Sequence, residues 1–207
     1  MMSIRKEVII WTQIITFVVI WLVILFISGI SPVINWEAIK VLPEVVTICT
    51  ILNLLFVKWA WRLPIFQHWL VTVPIIQGTW RGILQTTWVD PNTNQTPQPT
   101  SIYLVIRQTY TSINVTMFTK ESISFSEAAT IIVSEDTGNR LLSYNYTNTP
   151  GAIIRDRSRV HDGSATLRIL TKPKMILEGE YWTNRKTTGQ IEVDFLGRRL
   201  IERFPVL

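Results

Sequence analysis

The sequence predicts an N-terminal two-helix transmembrane hairpin followed by an all-β, eight-stranded antiparallel up-and-down barrel. Two apolar runs predict the hairpin, because Val8–Ile30 and Val45–Val57 contain no Asp, Glu, Lys or Arg. The composition of the remaining chain predicts the barrel. After Val71 it consists of short runs rich in Thr, Val, Ile, Tyr and Trp, separated by turn residues.

The first apolar run is long enough to cross a bilayer. A hydrocarbon core about 30 Å thick requires about 20 apolar residues of helix, and Val8–Ile30 supplies them. A cleaved signal peptide is the alternative, but the run exceeds the usual apolar region of about 7–15 residues and no small-x-small cleavage site follows it. We therefore expect a membrane span over about 8–30.

The second apolar run is shorter and extends back to Leu42 if Glu44 lies at the membrane interface. A buried core helix is the alternative, but the run has no polar face. This favours a second span over about 42–58.

Basic residues beside the two runs predict their orientation. Arg5 and Lys6 precede the first run, and Lys58 and Arg62 follow the second, whereas the connection Ser31–Pro43 carries both Lys40 and Glu37. Because Lys and Arg favour the cytoplasmic side of a membrane, we expect both termini to be cytoplasmic. The predicted barrel would then meet soluble cytoplasmic ligands.

These patterns divide the chain into a transmembrane hairpin (1–62), a juxtamembrane connector (63–74) and a cytoplasmic β-barrel domain (75–207). The chain has 207 residues, a formal net charge of +5 and a single cysteine, Cys49, within the second apolar run. An intramolecular disulfide is therefore excluded, and two histidines with one cysteine give no zinc-type spacing. We expect neither a structural nor a catalytic metal.

Eight strands joined mainly by short turns, with no helix between them, predict antiparallel pairing and closure into a small barrel. A β-sandwich is the alternative. The predicted strands are Gln77–Val89, Ile102–Tyr110, Ser112–Thr119, Ser122–Val133, Arg140–Asn148, Ser164–Leu170, Met175–Arg185 and Thr187–Phe195.

Alternation within the strands predicts which side chains face the barrel interior. In the seventh strand Tyr181, Thr183 and Arg185 share the inward face, and Tyr144 and Tyr146 share a face in the fifth. A barrel of about eight strands can hold one small ligand, so these polar groups predict a binding site near one mouth. The alternative is that Tyr and Arg side chains only close the barrel end.

A basic connection before the sixth strand contributes Arg157 and His161, which could meet phosphates at the mouth or form a solvated charged loop. Other residues have predicted structural roles. Glycines allow a barrel strand to coil sharply, and Trp80 would fill the base. The predicted structural residues are Gly78, Trp80, Gly82, Gly179 and Gly189.

No enzyme motif is present. The chain lacks GxSxG, a P-loop and GxGxxG, and its carboxylates fall on predicted solvent faces or in turns. We therefore assign no catalytic residue and no cofactor.

The two predicted spans, with GTWRG, YNYTNTP, SRVHDGSATL and LEGEYWTNRKTTGQI in the strand-rich domain, resemble one family. It comprises the two-transmembrane, β-strand-rich effectors of bacterial CBASS antiphage defence, which are associated with cyclic-oligonucleotide synthases. GxWxG alone also occurs in lipocalin-like barrels. The closing YWTNRKTTG together with the two spans is more specific.

The resemblance implies a barrel that senses a cyclic dinucleotide made by a partner nucleotidyltransferase during phage infection. Binding would promote homo-oligomerisation through the membrane segments and disruption of the inner membrane, which is abortive infection. No direct contact with DNA or RNA is expected. A membrane-anchored lipocalin-like barrel that carries a lipid or another apolar ligand is the alternative function. A structural scaffold with a filled barrel and no ligand is a third possibility, and a cytoplasmic domain that degrades a nucleotide is a weaker fourth.

Overall fold

A computed structural model describes residues 6–67, 69–134 and 136–205. The chain divides into two compact units, a helical unit that ends at Thr72 and a β unit that begins at Val73. Each unit is considered separately below, and the predicted connector 63–74 contains this boundary.

The helical unit contains α1 (Lys6–Ile27), α2 (Trp36–Lys40) and α3 (Leu42–Lys58), followed by single 3₁₀ turns at Ala60–Arg62 and Pro64–Phe66. Two segments, Glu7–Ile27 and Trp36–Lys58, are long and apolar enough to cross a membrane, with mean hydropathies of 2.6 and 1.8. Two N-terminal apolar helices are therefore confirmed.

Helix α1 ends three residues before the predicted end of the first span at Ile30. Gly29 adopts a left-handed backbone conformation with φ of 66°. Its amide donates to Phe26 O (3.2 Å), and the amide of Ile30 donates to Leu25 O (2.9 Å), which is the Schellman pattern of a glycine-terminated helix. The glycine therefore stops the helix although the apolar run continues.

The predicted connection Ser31–Pro43 is not simply a loop, because α2 occupies part of it. The side chain of Asn35 caps this helix by accepting a hydrogen bond from the amide of Ala38 at 2.9 Å. Trp21 Nε1 of α1 donates to the Ala38 carbonyl at 3.1 Å. The connection therefore packs onto the hairpin.

The β unit is a closed barrel in which each strand pairs antiparallel with its sequence neighbours and β8 closes onto β1. Closure confirms the predicted barrel rather than a sandwich. The strands are β1 (Gly78–Thr86), β2 (Thr100–Gln108), β3 (Ile113–Phe118), β4 (Ser122–Val133), β5 (Arg140–Pro150), β6 (His161–Leu170), β7 (Ile176–Thr183) and β8 (Thr188–Gly197).

The segment through which the chain enters the barrel, residues 73–76 before β1, closes one end of the barrel, here called the base. Val73 and Ile76 are buried with the barrel core, and Gln108 fixes this segment because its Nε2 donates to Pro74 O (3.0 Å) and its Oε1 accepts from the Ile76 amide (2.8 Å). Trp80 is fully buried there, and its indole donates to Ile76 O at 3.0 Å. The opposite end, here called the mouth, is where β1 ends and β2 begins.

Two of the predicted structural glycines lie where neighbouring strands approach too closely for a side chain. A Cβ on Gly82 would lie 1.9 Å from Glu192 O, and one on Gly179 would lie 2.1 Å from Thr166 O. Gly78 has a positive φ of 151°, which favours glycine. Gly82 and Gly179 therefore allow neighbouring strands to approach more closely than a side chain would permit.

Candidate functional site

A cavity of about 490 Å³ opens at the mouth of the barrel. Its walls come from the mouth-side ends of β1 to β7, from the turns beside them and from the segment between β5 and β6. The apolar core fills the barrel from the base up to this cavity, with Leu104, Leu142 and Leu177 fully buried. The open volume that could hold a small molecule therefore lies at the mouth, at the end of the barrel opposite the base.

Two tyrosines form the aromatic wall of the cavity. Tyr146 of β5 and Tyr181 of β7 are nearly buried, at 5% and 6% exposure, and face the interior as alternation predicts. Neighbouring glycines give the rings their space: a Cβ on Gly163 would lie 2.5 Å from Tyr146 Oη, and one on Gly189 would lie 2.5 Å from Tyr181 Cε1. Burial raises the pKa of both phenols, so they remain neutral hydroxyl donors.

Neutral polar side chains complete the buried part of the wall. Thr183 of β7 shares a hydrogen bond with Thr187 across the β7–β8 turn, with 2.6 Å between the two hydroxyl oxygens. Ser124 Oγ of β4 donates to Asn148 Oδ1 of β5 at 2.8 Å, and both residues are buried. This arrangement leaves the Asn148 amide nitrogen as a donor at the cavity.

His161 and Arg185 form a pair at the rim. His161 begins β6, whereas the sequence placed it in a loop before Ser164. Its Nδ1 lies 3.0 Å from Arg159 O and therefore carries the proton, which leaves Nε2 as an acceptor 3.4 Å from Arg185 Nη2. Burial, reinforced by the Arg185 cation, lowers the pKa of His161 below its ordinary value. The imidazole is thus neutral near pH 7 and orients the guanidinium.

Arg185 reaches the cavity from a turn. The prediction extended the seventh strand to this residue and placed it on the inward face, but β7 ends at Thr183 and Lys186 has a left-handed φ of 62°. The predicted strand end is therefore wrong, because the chain has already begun its turn at Arg185. The long side chain nevertheless lines the cavity and also contacts Ser158 Oγ at 3.4 Å.

Arg157 lines the cavity from the segment between β5 and β6 and forms an ion pair with Glu121 in the β3–β4 turn. The backbone of this segment is also attached to that turn, because the Gly151 amide donates to Glu121 O at 2.8 Å. Both charged side chains are more than half exposed. Arg157 is therefore held at the rim by a contact that a competing anion could replace.

Tyr144 lies apart from the other predicted site residues. It belongs to the buried core below the cavity, and its ring centroid is 5.9 Å from that of Tyr146. Its hydroxyl is buried and has no hydrogen-bond partner in the described part of the chain. The structure thus brings together the other candidates: Tyr146, Arg157, His161, Tyr181, Thr183 and Arg185.

Sequence reasoning missed several residues of the wall, among them Glu121, Ser124 and Asn148, and also Gly163, which gives the Tyr146 ring its space. Asn148 continues the alternation of Tyr144 and Tyr146 in β5, so its inward position was available from the pattern. Glu121 lies in a turn, where periodicity gives no direction.

The assembled site combines two guanidinium groups, the aromatic rings of Trp88, Tyr146 and Tyr181, and neutral hydrogen-bonding groups around one cavity. Guanidinium matches the geometry of phosphate oxygens, and aromatic faces stack on nucleobases. Within the described residues no group of three or more His, Cys, Asp or Glu side chains could hold a metal ion. The chemistry is that of binding a phosphate-bearing, partly aromatic ligand.

Comparison with known families agrees with this chemistry. Residues 71–194 match the family model described as Cap15, cyclic dinucleotide receptor domain. The chain belongs to the Cap15 cyclic dinucleotide receptor family. The resemblance to CBASS effectors seen in the sequence is thereby confirmed, and the family is one of receptors rather than a known family of enzymes.

A curated relative of the Cap15 type extends the similarity beyond the barrel. CD-NTase-associated protein 15 of Staphylococcus schleiferi is 24% identical over 176 residues, which cover 85% of this chain and 89% of the relative. The family match runs from Val71 into β8, and therefore covers nearly the whole barrel.

Proposed function

We propose that the mouth cavity binds a cyclic dinucleotide made by a partner nucleotidyltransferase, and that binding activates the chain as a membrane effector of antiphage defence. One observation carries the proposal: Arg157, Arg185, Tyr146 and Tyr181 converge on a single cavity of about 490 Å³. That volume lies within the usual range for small-molecule sites, about 300–1,000 Å³.

The cavity supplies a partner for each part of such a ligand. The two arginines at the rim are suited to the two phosphates, since each can donate two parallel hydrogen bonds to phosphate oxygens. Tyr146 and Tyr181 offer ring faces or hydroxyls to the bases, and Asn148 and Thr183 offer hydrogen bonds. A lipid carrier is less supported, because this rim is cationic and polar.

Membrane disruption is the proposed output. In this proposal α1 and the α2–α3 segment cross the bacterial inner membrane, both termini are cytoplasmic, and the chain assembles into homo-oligomers through these spans. A ligand shifts such an equilibrium only when it binds the assembled state more tightly than the isolated chain. Support comes from the two apolar segments and from the name of the relative, which associates that protein with a CD-NTase.

Calorimetric titration of the full chain in neutral detergent with a panel of cyclic dinucleotides, including the product of the partner enzyme, tests the binding proposal. We expect saturable binding of at least one ligand. Arg157→Gln and Arg185→Gln should each weaken it about tenfold, since a hydrogen bond to a charged group contributes about 1.5–3 kcal/mol. Arg198→Gln is the charge-matched control, because Arg198 is exposed and does not line the cavity.

Binding to no member of the panel, or equal weakening in all three variants, would contradict the proposal. Dye release from vesicles containing the reconstituted chain tests the output separately. We expect release only when the binding ligand is added, and less of it with Arg157→Gln than with Arg198→Gln.

A further inference from the structure

A second cavity, of about 780 Å³, lies on the outer wall of the barrel. Tyr103 of β2 and Phe118 at the end of β3 form its inner surface, and Phe204 of the C-terminal segment borders it. Because Ile102 and Leu104 face the barrel core, the alternating Tyr103 faces outward. This cavity is called the outer groove below, and it is larger than the cavity at the mouth.

The C-terminal segment builds one side of the outer groove. Its backbone is tied to β1, since Thr79 Oγ1 donates to Arg199 O at 2.5 Å and accepts from the Ile201 amide at 3.4 Å. Phe204 meets Tyr103 edge-to-face, with ring centroids 5.3 Å apart. The groove therefore has a packed aromatic floor.

Four cationic side chains surround this floor: Arg81, Lys120, Arg155 and Arg203. Arg81 lies over the Tyr103 ring, 5.9 Å from its centroid, and Arg155 Nε donates to Pro150 O at 3.3 Å. Within the described residues none of the four forms an ion pair, whereas Arg168 and Lys174 elsewhere on the outer wall do.

Among the described residues that line the groove, Glu121 is the one carboxylate, and it pairs with Arg157 on the mouth side. The described part of the groove thus concentrates positive charge beside aromatic and apolar surface. Such a surface attracts anions, and arginine is especially suited to phosphate oxygens.

We propose that the outer groove is a second binding site, next to the mouth cavity on the other side of the β3–β4 turn, for a phosphate ester that carries a flat or apolar group. The cations at its rim bind the phosphate, and Tyr103, Phe118 and Phe204 contact the remainder of the ligand. A phospholipid headgroup and a soluble nucleotide share this chemistry. The site does not depend on the mouth cavity binding a cyclic dinucleotide.

The test uses the full chain in neutral detergent and two probes. In the first experiment the chain is mixed with phosphatidylglycerol or, for comparison, with phosphatidylcholine, and the lipid molecules bound per chain are counted by native mass spectrometry. In the second, adenosine monophosphate is titrated into the chain and its binding is measured by calorimetry. We expect one of these phosphate esters, or both, to bind at one molecule per chain. Binding to the lipid alone, to the nucleotide alone or to both identifies the source, and each of these outcomes supports the site.

Variants locate the bound probe. Lys120→Gln combined with Arg203→Gln should weaken binding about tenfold or more, because two charge-assisted contacts are lost. Arg140→Gln combined with Arg198→Gln removes the same charge from residues that line neither cavity, and should leave binding unchanged. Lys120, Arg198 and Arg203 are exposed and Arg140 is half-buried, and circular dichroism of each variant checks that it folds.

Three results would overturn the proposal. They are the binding of neither probe, equal weakening in both double variants, and loss of binding in Arg157→Gln while the groove variant still binds. The last result would place the probe in the mouth cavity. Cyclic dinucleotide affinity measured on the groove variant keeps the two proposals distinguishable, because we expect it to be unchanged.

Discussion

Replacing Glu121 with Gln should tighten the binding of a cyclic dinucleotide at the mouth. Glu121 lines the cavity and pairs with Arg157, so an incoming phosphate must compete with its carboxylate for that guanidinium and is also repelled by it. Gln keeps a carbonyl oxygen that can accept from Arg157 but removes the negative charge. The backbone contact from Gly151 to Glu121 O is unaffected.

The magnitude follows from the exposure of the pair. Two unit charges about 6 Å apart interact by about 0.7 kcal/mol in bulk water and by about 2.8 kcal/mol at an effective dielectric constant of about 20. Because the side chains of Glu121 and Arg157 are 57% and 66% exposed, the value for water is the better guide. We expect the binding free energy of Glu121→Gln to be more favourable by about 1 kcal/mol, which lowers the dissociation constant about fivefold.

Calorimetric titration of the full chain in detergent measures this change. Glu178→Gln is the matched control, because Glu178 also pairs with an arginine, Arg168, but lies on the outer wall away from the cavity. The difference in dissociation constant between Glu121→Gln and wild type should shrink as the salt concentration rises from about 0.1 to 1 M, because the Debye length falls from about 10 to 3 Å. Unchanged or weaker binding in Glu121→Gln, or equal tightening in the control, would refute the reasoning.

Four further predictions address stability and assembly. Gly179→Ala should lower the unfolding free energy by at least about 1–3 kcal/mol in urea titrations, because its Cβ would lie 2.1 Å from a carbonyl oxygen of the facing strand. His161, whose pKa burial lowers, binds a proton more readily in the unfolded chain, so stability should fall as pH drops below about 6.5, and by less in His161→Asn, as thermal unfolding would show. Asn53→Leu should weaken cross-linking between chains in vesicles, because its exposed amide has no hydrogen-bond partner among the described residues and each such membrane contact contributes about 0.6–2 kcal/mol. Ile153→Asp should abolish ligand-induced cross-linking and reduce ligand affinity only to that of the isolated chain, because this side chain is 97% exposed on the segment that carries Arg157 and does not belong to the phosphate-binding groups. The matched controls are Gly197→Ala for the first, whose Cβ would have open space, and Thr50→Ala for the third, whose hydroxyl already donates within its helix at 2.8 Å. An equal effect in a control, a pH response unchanged in His161→Asn, or full assembly of Ile153→Asp would each contradict the corresponding prediction.

The strand pattern of the barrel could be predicted wherever apolar alternation is strong. The predicted and observed bounds of β4, Ser122–Val133, are identical, because polar turn residues flank a run of alternating side chains. The predicted sixth strand begins too late, at Ser164 rather than His161, because the charged residues around His161 are typical of a solvated loop. Pairing with β5 extends that strand to His161, and the local amino-acid composition does not predict this pairing with another part of the chain.

The site was predictable on the strands and less so in the turns. Tyr146, Tyr181 and Thr183 follow from period-two alternation, whereas the position of Arg185 depends on where β7 stops. The ion pair between Glu121 and Arg157 joins residues 36 positions apart. Such a contact depends on barrel closure, and no sequence spacing predicts it.

The position of the cavity bears on how a signal could reach the spans. The chain enters the barrel at the base, which Trp80 and Ile76 fill, and the mouth cavity opens at the opposite end. Eight strands hydrogen-bonded in a closed ring resist a conformational change that would have to pass from the mouth to the base.

Ligand-dependent contact between the mouths of neighbouring chains requires no such conformational change. A ligand that binds better between two mouths than in one stabilises the assembly directly. The segment that carries Arg157 also exposes Ile153 and Val160 beside the cavity, and an apolar surface there would be buried only in the assembled state. In the proposed assembly the hairpins would cluster because the barrels associate, and polar side chains of the spans such as Asn53 would then stabilise an assembly that the ligand has already selected.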